Sequence, residues 1–133
     1  MNGSIVKAYS LTKDGSKKLS DNFKVREFAC RDGSDVVFIS DKLVSVLQQI
    51  RSHFNAPVTI SSAYRTPAYN KKVGGAAYSQ HLYGKAADFV VKGISPKDIA
   101  RYAETLLPNT GGIGIYRSFI HVDDRQVKSR WNG

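Results

Sequence analysis

"SQHLYGKAAD", residues 79–88, sets a histidine seven positions before an aspartate in a stretch crowded with small residues. Gly84, Ala86 and Ala87 make the segment too rich in small residues to be a good helix. From Lys85 the chain runs on as "KAADFVV" (85–91), a strand whose continuous apolar end suits a central place in a sheet. Asp88 then lies inside that strand. The chain holds three histidines in all, so His81 so close to Asp88 admits two readings, a metal site or a polar turn entering a strand.

Upstream, "APVTISSAYR" (56–65) carries a strand at Val58, Thr59 and Ile60, and Thr66-Pro67 opens a short helix that ends at Gly74-Gly75. Arg65 falls at the strand-to-helix corner. Further back, Ser40 is an N-cap and Asp41 suits the positive helix end. Leu43, Val44, Leu47, Ile50 and Phe54 recur at three- and four-residue spacing, a core-facing helix with His53 on its solvated flank. Residues 1–20 read as an irregular N-terminal segment. "LSDNFKVREFAC" (19–30) reads as irregular too, with Phe23, Val25 and Phe28 packing on the body, before the turn-rich "RDGSD".

Downstream, Ser95 caps another helix with Asp98 at the capping-box position, and Ile99, Tyr102, Ala103, Leu106 and Leu107 form its buried face. Pro108 and "NTGG" end it. "IGIYRSFIHVDDR" (113–125) reads as two strands joined by a tight turn near Arg117-Ser118. The expected architecture is α+β, with helices packed on one face of a mainly antiparallel sheet, in a single domain spanning 1–133.

Composition narrows the function. Hydrophobic residues make up 41% of the 133 and charged residues 23%, the balance of an ordinary folded protein. Cys30 is the lone cysteine, which excludes an intrachain disulfide and a thiolate zinc cluster. No run approaches the ~18 apolar residues of a membrane helix, and the first residues lack the apolar stretch of a signal peptide. Cytoplasmic synthesis without membrane insertion is therefore expected. Twenty Lys and Arg against eleven Asp and Glu give a net charge of +9, which favours anionic partners. The basic residues are dispersed and accompany no helix-turn-helix, zinc-finger or RNA-recognition pattern, so nucleic acid is not the expected partner.

Chemistry gathers in "FIHVDD" (119–124). Residues two apart in a strand share a face, so Ile120 and Val122 point to the core while His121 and Asp123 point together to the opposite side. Two imidazoles and one carboxylate are a common catalytic zinc set, because three protein ligands leave a fourth position for water. His81, Asp88 and His121 would supply it. Each taken singly is more often a surface or packing residue; it is the combination that carries weight.

That combination resembles a known family. "SQHLYGKAAD" reproduces the S-x-H-x-x-G-x-A-x-D signature of the zinc D-alanyl-D-alanine carboxypeptidases and related murein endopeptidases, which share the hedgehog/DD-peptidase fold. "YRTP" (64–67) resembles the family's arginine segment and "GGIGIYRSFIHVDDR" (111–125) its last metal-binding strand, and the likeness runs from about Phe23 to Trp131. It implies one Zn2+ ion held by His81, Asp88 and His121, with Arg65 beside it holding a scissile carbonyl or a substrate carboxylate. Ser79 and Tyr83 would face the substrate, with Tyr64 a weaker candidate.

One departure stands out. Many members carry the general base two or three residues before the last histidine, where this chain has Phe119 and Ser118. Asp123, on the His121 face, is then expected as base or as a partner orienting His121, while Asp124 on the opposite face is a poor candidate. The implied substrate is the stem peptide of peptidoglycan, cut at D-Ala-D-Ala, L-Ala-D-Glu or a cross-link. The enzyme would act as a monomer, drawn to anionic wall polymers and released as a phage or prophage lysin. A cytoplasmic dipeptidase and a catalytically inactive zinc-containing wall-binding module are the competing expectations.

Overall fold

Parity along each strand sorts the sheet into a core face and a site face, and the computed structural model, which describes residues 4–133, shows where each lies. In chain order the elements are β1 (Val6–Ser10), α1 (Leu11–Asp14), β2 (Lys18–Ser20), β3 (Phe23–Lys24), β4 (Val36–Ser40), α2 (Asp41–Phe54), β5 (Val58–Ser62), α3 (Pro67–Lys72), β6 (Ala86–Val91), α4 (Pro96–Leu106), β7 (Gly112–Ile115), β8 (Ile120–Asp123) and β9 (Ser129–Asn132). Short 3-10 turns occupy Val25–Phe28 and Gln80–Tyr83.

Five strands form the main sheet in the order β5-β6-β8-β7-β9, antiparallel throughout except for the parallel pair β7 and β9. Across it Ile60, Phe89, Ile120 and Ile115 stand in one row on the core face. Against this face α2 buries Leu43, Val44, Val46, Leu47 and Ile50, and α4 buries Ile99, Ala100 and Ala103. Each large aliphatic side chain so buried contributes about 2 kcal/mol of transfer free energy. The fold is the expected α+β arrangement, mostly antiparallel, with helices on one face.

Helix ends follow the sequence signals. Ser40 Oγ accepts the Leu43 N–H (3.2 Å), Thr66 Oγ accepts the Tyr69 N–H (3.2 Å) ahead of Pro67, and α2 stops where Asn55 turns left-handed (φ 49°). Ser95 caps α4 by accepting the Asp98 N–H, but the Asp98 carboxylate meets Arg101 (3.1 Å) instead of closing a capping box.

The N-terminal expectation needs correction. Residues 1–3 lie outside the described residues, but the stretch beyond them is ordered: β1 pairs antiparallel with β4 and β2 with β3, with α1 between. Tying a long segment down through sheet hydrogen bonds to a distant strand leaves little trace in local patterning. The strands β4 and β9 were also absent from the sequence reading.

Candidate active site

The site is a row of side chains crossing the sheet. Ser62 of β5 pairs with Asp88 of β6, Asp88 with His121 of β8, His121 with Gly114 of β7, and Gly114 with Trp131 of β9. Directly paired residues share a face, so Ser62, Asp88, His121 and Trp131 project on the side away from α2 and α4, with Gly114 in the same row. His81 joins from the turn Gln80–Tyr83. Ser79 starts that turn by accepting the His81 N–H (3.2 Å), and Gly84 ends it at φ 71° with its Cα against the Phe38 carbonyl, where a Cβ would collide.

Hydrogen bonds fix both imidazoles. A carbonyl only accepts, so the contact of His81 Nδ1 with the Ala63 carbonyl (2.6 Å) puts the proton on Nδ1 and leaves the Nε2 lone pair facing Asp88 Oδ2 at 3.3 Å. His121 presents Nδ1 to Asp88 Oδ1 (2.8 Å) and Nε2 to Asp123 Oδ2 (2.8 Å). His81, Asp88 and His121 thus each bring one ligand atom within 4.8 Å of the others. The set suits a divalent cation with nitrogen and oxygen preferences: two imidazoles, one carboxylate, and outward ring nitrogens tied to a carbonyl and a carboxylate as metal-binding histidines require.

The electrostatics agree. Burial disfavours the charged form of Asp88, but the His121 and His81 imidazoles beside it outweigh that and hold the carboxyl well below its usual range. Burial also works against a charged His121, yet its bonds to Asp123 and Asp88 raise its pKa. Asp88 is therefore anionic and ready to bind a cation.

Asp123 is enclosed by donors. It is 1% exposed, and Oδ1 accepts from Gly112 N (2.9 Å), Arg125 N (3.1 Å) and Arg125 Nε (2.8 Å), while Oδ2 accepts from Arg125 NH2 (2.7 Å) and faces His121. Every lone pair is engaged, one of them by His121. Despite its burial, the bonds from His121 and Arg125 depress its pKa far below the carboxylate norm. Asp124 lies apart from the row and accepts from the Ser40 hydroxyl.

Arg65 borders the cluster. Its Nε donates to Ser62 Oγ (3.2 Å), one terminal nitrogen to Asn70 Oδ1 (3.3 Å), and the other lies 3.6 Å from Asp88 Oδ2. Buried Asn70 in turn donates to the Ala76 carbonyl (2.9 Å), tying Arg65 to the loop that leads to His81. Ser79 serves as the cap described above. Tyr83 is exposed with no hydrogen bond to the cluster, and Tyr64 is buried against Phe38.

Sequence reasoning missed Asn70, Arg125 and Trp131. Arg125 forks onto Asp123, and the Trp131 ring lies 5.1 Å from the His121 ring with the Arg125 guanidinium 5.3 Å from its centre. The available signal was the pair Gly112 and Gly114: a Cβ at the first would strike the Asp123 carboxylate and at the second the indole of Trp131.

A sequence model of the family described as Peptidase M15 matches residues 19–123. A protein of Haemophilus influenzae named as a probable peptidoglycan L,D-endopeptidase, MepK, is 35% identical over 86 residues. The matched stretch covers 59% of this chain and 45% of that protein, so the chain spans less than half of the relative's length.

Proposed function

The chain belongs to the peptidase M15 family, and on that footing we propose that it is a zinc-dependent peptidoglycan peptidase hydrolysing a bond of the stem peptide. The observation that carries the reading is the convergence of His81, Asp88 and His121, whose ligand atoms lie within 4.8 Å of one another, with the far nitrogen of each imidazole fixed from behind. The Haemophilus relative's name supplies the substrate class. The scissile bond, whether L-Ala-D-Glu, D-Ala-D-Ala or a cross-link, is left to the experiment.

In this reading His81 Nε2, the Asp88 carboxylate and His121 Nδ1 hold one Zn2+. When bound, that ion lowers the pKa of water and stabilises negative charge on a carbonyl oxygen. The Ala63 carbonyl keeps the His81 proton on Nδ1, and Asp123 keeps the His121 proton on Nε2, so each imidazole offers a lone pair to the ion. Arg65, a donor only, orients the scissile carbonyl or a substrate carboxylate and stabilises the oxyanion that develops. Ser62 and Asn70 hold it there. The charge of +9 would concentrate the enzyme on anionic wall polymers, as a lysin requires.

The engagement of Asp123 favours one second reading, a wall-binding module that keeps the metal but not the hydrolysis. Metal content of the purified protein, together with mass spectrometry of fragments released from purified peptidoglycan with and without chelator, separates the two. One zinc per chain and chelator-sensitive cleavage lost in His81→Ala is the expected result. Zinc without cleavage would favour the binding module, and a protein unable to take up zinc would overturn both.

A further inference from the structure

The row of side chains continues past the cluster. On the β5 side stand Ser62 and the Arg65 side chain it holds; on the β9 side, across Gly114, stands Trp131. Because Gly114 has no side chain, the indole rests over it and reaches to 5.1 Å from the His121 ring. We propose that Trp131 and the Tyr116 hydroxyl form the specificity-determining wall of the substrate cleft on the side away from Arg65, taking the residue next to the bond that is cut. The inference rests on the peptidase reading and adds which side chains select the peptide.

The chemistry follows from the indole nitrogen, which can only donate. Trp131 Nε1 lies 3.0 Å from the Tyr116 oxygen, so that oxygen accepts and its own proton has no partner among the described residues. Tyr116 is held in turn by stacking on Phe119 at 4.4 Å and 5°. Both Trp131 and Tyr116 keep part of their surface exposed. The wall therefore offers the exposed part of an indole, which carries the Arg125 guanidinium 5.3 Å from its centre, beside a hydrogen-bond donor. A small apolar side chain such as the methyl of alanine fits the indole, and a backbone carbonyl or a carboxylate fits the phenol.

The spacing fits a peptide laid across the strands. An extended chain advances about 3.3 Å per residue, so the 5.1 Å between the imidazole and indole rings is a step of one to two residues. A peptide lying along the row meets the guanidinium, then the two imidazoles, then the indole.

Trp131 is the sole tryptophan, so intrinsic fluorescence reports on this wall without reference to turnover. The test titrates the zinc-loaded protein with a synthetic stem peptide spanning the L-Ala-D-Glu and D-Ala-D-Ala bonds and with its cross-linked dimer, and measures their cleavage by wild type, Trp131→Phe and Tyr116→Phe. The expected result is a saturable change in emission and a KM raised about tenfold in Trp131→Phe with kcat changed far less. Tyr116→Phe, which removes one atom and keeps the stack on Phe119, guards against misfolding and should also raise KM. Cleavage with silent fluorescence and unchanged KM in both variants would overturn the inference alone. A fluorescence response without cleavage would leave Trp131 as a peptide contact but overturn the peptidase reading and the specificity role that rests on it, and neither signal would overturn both.

Discussion

Replacing Asp123 with asparagine tests whether this carboxylate orients His121 or takes a proton from water. Asp123 receives five donors at 2.7–3.1 Å, and an amide keeps only one accepting oxygen. If the NH2 replaces Oδ1, three donors from Gly112 and Arg125 lose their acceptor; if it replaces Oδ2, His121 and one Arg125 nitrogen do. Each stranded buried donor costs about 1–3 kcal/mol, and because the Arg125 side chain is 31% exposed, water recovers part of its share. Asp123→Asn should therefore destabilise the metal-free protein by roughly 2–4 kcal/mol, read from urea unfolding. An amide NH2 facing His121 also drives the imidazole proton onto Nδ1, the atom turned toward Asp88. Zinc affinity, measured by competition with a chromophoric chelator, should then fall about ten- to a hundredfold. Unchanged stability and affinity would refute the reasoning. Intact zinc affinity with a large fall in kcat alone would restore Asp123 as the base.

Other outcomes follow from the same contacts. Gly114→Ala places a methyl in the indole of Trp131, so it should cost about 1–3 kcal/mol and shift tryptophan emission to the red; unaltered emission would contradict the close approach. Leu47→Ala empties a fully buried position between helix and sheet and should lower stability by about 2–5 kcal/mol in chemical denaturation. Asp32, held low in pKa first by the Ser34 backbone N–H and also by Thr66, favours folding only while ionised. The stability deficit of Asp32→Asn should therefore be full at pH 7, begin to shrink below about 4 and disappear only once the folded-state carboxyl is itself protonated, with a pH-independent deficit counting against it. Chelator should lower Tm in wild type, by an amount equivalent to about 2.7 kcal/mol at a free zinc concentration one hundred times Kd, and leave His81→Ala unmoved.

Much of the sheet was legible because its signals are local. Parity in "IHVD" correctly put His121 and Asp123 on one face and Ile120 and Val122 on the other, and Ser40, Thr66 and Ser95 each start the helix they announce. Most of what escaped is non-local. In β4, Val37 and Ile39 point inward and Val36 and Phe38 outward, but its partner β1 is mostly exposed and thirty or so residues away, with little apolar pattern to betray it. The four residues of β9 are half-exposed and pair in parallel, so nothing in "SRWN" marks them as a strand or Trp131 as a neighbour of His121. One local contact also escaped: for Asp123, parity gave the company of His121 but not the fork of Arg125, which lies two residues on, past the end of β8, where parity no longer applies.

Ser40 has a place in the structure that bears on motion. Its N–H donates to the Gly84 carbonyl (2.9 Å) behind His81, its hydroxyl meets Asp124 just past His121, and its oxygen receives the Leu43 N–H at the start of α2. The loop bearing one imidazole and the strand bearing the other are thus referenced to a single buried atom group at the root of the core helix. Opening the cluster by moving Gly84 or Asp124 away would break hydrogen bonds made at the root of the core helix. The amide of Leu43 should then exchange its hydrogen as slowly as the most protected positions in α2, and the geometry around His81 and His121 should persist between turnovers rather than assemble anew in each.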